Sequence, residues 1–340
     1  MWYQKRMQRQ LLLEGKKRMN ALLTNIYASL KQQIKEYVFK PVLNPILPLD
    51  SLRREYIKQL YFKLRGRQNR FEITRYFLQQ KLNHAKYMCF SMFPGTIYYN
   101  NKKKILNLKN SHNGERCFFV GLGPSLRIED LDCLTSEQTF SVNNVFALFR
   151  QTTWRPTYYL NQETIVLNSD WISDEFKAKY QKCDLNTAFF PFNRHRSDVV
   201  HAGKNVILLP IVNDWCMYFR GKRKMEHFSR NICKEVNAAF LSMYSLLQIA
   251  VYMGFTSIYL IGCDAKYEIG RTHCYQEDNH DKILYKSNQE LNYNTSGIHM
   301  GFSAMKSMAE KHGIQVYNAT RGGYLELFPR VDFDSLFTVK

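Results

Sequence analysis

The chain has 340 residues, a net charge of +19 and 45% hydrophobic residues, enough for a sizeable core in one large domain or two smaller ones. Residues 1–110 hold 23 Lys+Arg and 5 Asp+Glu, or +18, which leaves 25 basic and 24 acidic residues, or +1, for the remainder. A basic segment is therefore joined to a near-neutral one, which excludes an evenly basic domain and points to a polyanionic partner for the first segment. The eight cysteines include no C-x-x-C pair, which argues against a zinc site, and several stand in apolar runs as reduced core cysteines do. Leu11–Leu13 is too short for the apolar region of a secretory signal. Ala238–Phe255, interrupted by Ser242, Ser245 and Gln248, reads as a buried helix rather than a membrane span.

Residues 1–110 read as a basic amphipathic helical extension. Met19, Leu22, Leu23, Ile26, Tyr27, Leu30 and Ile34 share one helical face, Pro41, Pro45 and Pro48 break the pattern, and a second basic helical segment runs over 51–87. Three partners fit: an anionic membrane surface, nucleic acid as a competing polyanion, or the protein's own main domain with the charges solvated.

From residue 111 the texture changes. Short apolar runs predict strands at 117–121, 139–143, 157–161, 187–192, 206–211, 257–262 and 314–318, and helical patterns lie at 170–180, 237–253 and about 301–312. The alternation predicts an α/β fold, a mostly parallel Rossmann-like sheet with helices on both faces. Ligands of such sheets bind beyond the carboxyl ends of the strands.

The first strand ends in Gly121-Leu122-Gly123-Pro124-Ser125. Two glycines admit a sharp turn and a close ligand, Pro124 suits a first helical turn, Ser125 is a cap or phosphate donor, and bare N–H groups at a helix start would bind an anion. The next two strands end in Asn143-Asn144 and Asn161, amides suited to a base edge or ribose. Asp264 directly follows the buried run Ser257–Cys263 and is a candidate ribose ligand, metal ligand or acid/base group. Residues 267–294 read as a lid-like loop carrying His273, Glu277, Asp278, His280 and Asp281. His299 falls near the expected start of the next helix, whose dipole would favour a neutral, proton-accepting imidazole. The last strand supplies Asn318, and Arg321 beyond it suits a phosphate or carboxylate.

Gly121–Ser125, the "YLIGCD" strand and "GIQVYNATRGGYLELFPRVDFDSLF" together resemble the MptE-like family over roughly residues 110–340. Its founding activity is archaeal 6-hydroxymethylpterin pyrophosphokinase, and many bacterial members lie in surface-glycan or flagellin-glycosylation settings. The chain is more distantly similar to bacterial sialyltransferases that use a CMP-activated sugar. Their glycine turn carries a nucleotide-contacting Asn where Leu122 stands here; the Asn ending their next strand matches Asn143; their catalytic histidine lies close to the place of His299, with His273 as the alternative.

The resemblance implies a cytoplasmic, nucleotide-dependent transferase over 111–340, peripheral to the inner face of the membrane in the membrane reading. It would move a sugar from a nucleotide-activated, sialic-acid-like donor to a glycan or lipid-linked acceptor of surface-glycan biosynthesis. Gly121, Gly123, Pro124, Ser125, Asn143, Asn144, Asn161, Asn318 and Arg321 would hold the nucleotide, with Asp264 and His299 or His273 catalytic. Two alternatives stay open. One is ATP-dependent pyrophosphoryl transfer to a pterin-like alcohol, with Mg²⁺ on Asp264 and Asp278. The other is an inactive membrane-associated scaffold.

Overall fold

A computed structural model of the chain describes residues 57, 61, 64, 78, 82–162, 186–191, 205–212, 227–238, 241–266, 272–275 and 288–337. The chain divides into two units, Met1–Leu82 and Asn83–Lys340. Residues 83–110, read from sequence with the basic extension, belong to the second unit. The helical patterns of 19–34 and 170–180 lie outside the described residues.

The second unit is built on seven parallel strands. In chain order its elements are α1 (Ile97–Asn107), β1 (Arg116–Val120), α2 (Ile128–Asp132), β2 (Thr139–Val142), β3 (Tyr158–Leu160), β4 (Thr187–Pro191), β5 (Val206–Leu209), β6 (Ile211–Val212), β7 (Val236–Asn237), α3 (Ser242–Met253), β8 (Ser257–Ile261), α4 (Asn288–Lys311) and β9 (Gln315–Asn318). The sheet order is β5-β4-β3-β2-β1-β8-β9, and every pairing is parallel. The predicted α/β class is the observed one.

The strands read as nearly unbroken apolar runs because the sheet is covered on both faces. On one face Phe119, Phe140, Leu160 and Phe189 pack with Leu246, Leu247 and Ala250 of α3 and Phe302 and Met305 of α4. On the other, Phe118, Val120, Tyr159 and Phe190 pack with Leu131 of α2, Val145 and Phe146 after β2, and Phe333 near the carboxyl terminus.

Several elements differ from the sequence reading for identifiable reasons. The expected strand 206–211 is cut at Pro210, which has no N–H to give a ladder. Val206–Leu209 stays in the main sheet, while Ile211–Val212 pairs with Val236–Asn237 in a second, two-stranded sheet. That pairing shortens the expected helix 237–253 to Ser242–Met253. The buried Gln248 side chain binds both backbone groups of Asn237, its Oε1 accepting from the N–H at 3.0 Å and its Nε2 donating to the carbonyl at 2.8 Å. The last helix begins at Asn288 rather than near Gly301. Its apolar stripe of Ile298, Phe302, Met305 and Ala309 packs in the core shared with α3, and the weak helix propensity of the Asn, Thr, Ser and Gly residues before it is why the sequence reading placed its start later.

Both outer strands have part of their edges covered among the described residues. Along β5, the buried Asn101 of α1 takes the place of a neighbouring strand: its Nδ2 donates to Leu208 O at 2.8 Å and its Oδ1 accepts from Leu208 N at 2.7 Å. Lys104 Nζ donates to Val206 O at 3.2 Å. Along β9, Asn318 N donates to Pro329 O at 2.8 Å, and Val331 N to Asn318 O at 3.0 Å.

Candidate active site at the carboxyl rim

The order of strands reverses between β1 and β8. From β1 the chain winds outward through β2 to β5, then returns by α3 to β8 on the opposite side. Crevices at such reversals, beyond the carboxyl ends, are where open α/β sheets bind ligands. The turn 121–125 leaves β1, and Gly262–Asp264 leaves β8, at this place.

The two strand ends are pressed together. A Cβ on Gly121 would stand 2.4 Å from Gly262 O, one on Gly123 2.0 Å from Asp264 Oδ2, and one on Gly323 2.6 Å from Asp264 Cα. The glycines therefore admit neighbouring protein rather than a ligand. The expectation of bare turn donors is corrected accordingly. Gly121 N donates to Ile261 O, Gly123 N to Gly262 O and Leu126 N to Gly123 O. Ser125 directs its N–H at Asp264 Oδ2 over 3.4 Å and donates its hydroxyl to the same oxygen at 2.8 Å. Pro124 is not in a first helical turn either, since α2 starts only at Ile128.

Asp264 gains a fixed position from this arrangement. Ser125 holds Oδ2, Tyr324 N donates to the Asp264 carbonyl at 2.7 Å, and Oδ1 makes no hydrogen bond among the described residues. One carboxylate oxygen is thus anchored while the other is not, among the described residues. The backbone around it is strained: Ala265 has φ +57° and Asn143, across the rim, has φ +51°. Such conformations are costly for residues with a side chain and cluster at functional sites. Among the described residues Asn143 Oδ1 is also a buried acceptor with no partner, an arrangement that costs about 1–3 kcal/mol.

The segment 272–275 folds back over the turn. Cys274 N donates to Leu122 O at 2.9 Å, and Tyr275 OH accepts from Asn144 Nδ2 at 3.3 Å. His273 stacks on Tyr275 with ring centroids 4.9 Å apart, and its Nδ1 lies 2.8 Å from Thr272 Oγ1. Turn, Asp264, Asn143, Asn144 and His273 are thus gathered at one place. Burial, reinforced by the Asp264 carboxylate, pushes the Cys263 thiol up to about 12, and burial pushes Cys274 to about 12 as well. Both stay protonated at neutral pH and offer no thiolate nucleophile.

Other expected site residues are placed differently. His299 lies in the middle of α4, so the dipole reasoning for it does not hold. It lies about 18 Å along the helix from Lys311, while β9 spans about 13 Å, so it reaches rim height. But α4 covers the sheet face opposite to the one that Tyr275 packs on. Asn161 is buried at the end of β3. Asn318 is fully buried and structural, its Nδ2 donating to Leu325 O at 2.6 Å and its Oδ1 accepting from Thr320 N at 3.0 Å. Asp278 lies outside the described residues. Among the described residues no group of three His, Cys, Asp or Glu side chains could hold a metal ion.

Arg321 does not face a phosphate. It donates Nε to both oxygens of Asp130 at 2.9–3.0 Å and Nη1 to Asp334 Oδ2 at 2.9 Å, clamping α2 and the carboxyl-terminal segment to the end of β9. Asp130 is largely buried. Arg321→Ala would strand that carboxylate, and we expect a loss of roughly 2–4 kcal/mol in urea unfolding, with ligand binding at the rim retained by the folded fraction.

Sequence reasoning missed Tyr275, Gly323 and Lys266, whose Nζ stands 4.2 Å from the ring centroid of Tyr324, the residue whose N–H donates to the Asp264 carbonyl. Only the fold brings Tyr275 to Asn144 and Gly323 to Asp264. Lys266 alone carried a local signal, two residues after the rim carboxylate.

No family model and no curated protein sequence matches the chain. Among solved structures it is similar to the MAf glycosyltransferase from Magnetospirillum magneticum AMB-1, with a TM-score of 0.42 and 13% identity over 76% of this chain and 42% of that one. This chain thus spans less than half of that protein's length. It is also similar to the sialyltransferase CstII from Campylobacter jejuni, solved with the substrate analogue cytidine-5'-monophosphate, with a TM-score of 0.33 and 12% identity over 63% of this chain and 84% of that one. Likenesses of this depth do not bear on the reaction.

Proposed function

We propose that residues 111–340 form a glycosyltransferase of the MptE-like and sialyltransferase-like kind, which takes a sugar from a CMP-activated, sialic-acid-like donor. The observation that carries this reading is the half-anchored Asp264 at the strand-order reversal, with the unsatisfied acceptor of Asn143 and with His273 on the same rim. Asn143 and Asn144 would read the base or ribose, and the open oxygen of Asp264 would take a ribose hydroxyl or an acceptor hydroxyl. His273 would accept the acceptor's proton as its oxygen attacks the anomeric carbon. The bond to the nucleotide phosphate breaks with its electron pair leaving on the phosphate, which Lys266 would balance electrostatically. The acceptor would be a glycan or a lipid-linked saccharide.

Thermal denaturation with CMP, UDP, GDP and ATP, each with and without Mg²⁺, tests this. CMP at about 100 times its Kd should stabilise the protein by about 2.7 kcal/mol, a rise of roughly 5–10 °C for a unit of this size, without added metal. Stabilisation only by ATP with Mg²⁺ would replace the reading with pyrophosphoryl transfer through Asp264 and Asp278. No response to any nucleotide would leave the scaffold reading.

A further inference from the structure

The helix over 82–90 and α1 are joined by a turn at 91–96 that presents an apolar tip. Phe90, Met92, Phe93 and Ile97 are 41%, 63%, 53% and 38% exposed. Such a cluster at a helix–turn–helix corner has no role in the core of its own unit. We propose that this tip is a membrane wedge that inserts into an anionic phospholipid surface and turns the candidate active site toward the bilayer.

Three observations point to lipid as the occupant. First, the charge of this segment is of one sign. No Asp or Glu occurs between Glu72 and Glu115, Lys86 lies over Phe90 and Lys103 lies over Tyr99 at the start of α1, while Lys104 is turned to Val206 of β5. Lysines near an anionic leaflet each add about fivefold to binding. Second, the tip is prepared for a medium without water. Thr96 Oγ1 lies 2.8 Å from Phe90 O and 2.9 Å from Phe93 O, Ser91 Oγ donates to Met88 O at 2.9 Å, and Ser91 N donates to Tyr87 O at 2.9 Å. Backbone carbonyls that enter hydrocarbon need such internal partners. Third, Lys86 lies over the tip aromatics, with its Nζ 5.9 Å from the Phe90 and Tyr98 ring centroids. A lysine stem along apolar surface with its charge at the edge suits the headgroup boundary.

The direction of the tip follows from α1. Asn101 faces Leu208 and Lys104 faces Val206, so α1 runs antiparallel to β5 and its beginning lies toward the carboxyl ends of the strands. The wedge therefore stands at the same end of the sheet as Gly121–Ser125, Asp264 and His273. Docking by the wedge does not depend on the transferase reading. Its consequence does: the acceptor would be lipid-linked and would meet the rim from the membrane side.

The test is co-sedimentation of the full chain with vesicles of phosphatidylcholine alone or mixed with phosphatidylserine. The unaltered protein should bind only the mixed vesicles, and the Met92→Asp/Phe93→Asp variant should bind about tenfold or more weakly, with its melting temperature and nucleotide response unchanged. A Phe93→Trp variant should gain fluorescence that brominated acyl chains quench. Equal binding by the charged variant, absence of that quenching, binding to RNA but not to vesicles, or self-association that the variant abolishes without any vesicle binding would each overturn the proposal. Because the nucleotide response is measured separately, failure of the wedge and failure of the transferase reading are distinguishable.

Discussion

Gly121→Ala is expected to destabilise the second unit by about 3 kcal/mol, the upper part of the range for forcing extra atoms into close-packed protein. For a unit of this size that corresponds to a fall in Tm of roughly 6–12 °C. The reason is specific. The added Cβ would lie 2.4 Å from Gly262 O and 3.0 Å from Gly262 C, and both belong to the main chain at the middle of the sheet, which has no rotamer to yield. Gly322→Ala is the matched control: its Cβ would meet only Ser125 Cβ, at 3.5 Å, and Tm should stay within measurement error. Equal behaviour of the two variants in calorimetry would mean that the β1 and β8 ends are not pressed together as described. Gly123→Ala combines two effects at the same turn: its Cβ would meet the Asp264 carboxylate at 2.0 Å, displacing it from Ser125, and the main-chain Gly262 O at 2.8 Å, so a loss of stability is expected together with loss of the carboxylate's fixed position.

The second large effect concerns the base. If the proposed transfer holds, His273→Ala should lower kcat by about 10²–10⁴, the contribution of a positioned general base, while His299→Ala should stay within about threefold of the unaltered protein. His273 is held by stacking on Tyr275 and by Thr272, in a segment bound to the glycine turn through Leu122 O and to Asn144 through Tyr275. His299 belongs to the helix over the other face. The assay is sugar transfer from CMP-activated donor under saturating conditions, with CMP binding by each variant checked by its thermal response. The reverse ranking would return the role to His299, and full activity in both would leave the proposed mechanism without a proton acceptor.

The sheet was legible in the sequence because parallel strands buried on both faces must be apolar at successive positions. Phe118–Val120, Thr139–Val142 and Ser257–Ile261 could scarcely be read otherwise. The candidate site was read from strand ends rich in Gly, Asn and Asp, and the fold brings several of those residues to one rim. What these residues do there was not legible. The sequence of Gly121–Ser125 is the same whether its N–H groups await an anion or are consumed by the next strand end; only the pairing of β1 with β8, more than a hundred residues apart, decides for the latter. Arg321 and Asn318 were misread for a related reason. A cation or an amide at a strand end resembles a ligand contact until its partners arrive from distant chain, here Asp130 for the first, or from the local turn to Leu325 for the second. The start of α4 was missed because its first turns are rich in Asn, Thr and Ser, which carry a weak helix signal in the sequence.

The covered margins of the sheet limit how this protein can associate. Asn101 and Lys104 occupy the outward groups of β5, and Pro329–Val331 lies along β9. Among the described residues, a peptide added beside β5 would have to displace Asn101 and Lys104, and one added beside β9 would meet Pro329–Val331 at Asn318, which disfavours strand addition at both margins. Extended peptide ligands are therefore expected to find few open main-chain groups along β5, where Asn101 and Lys104 already stand.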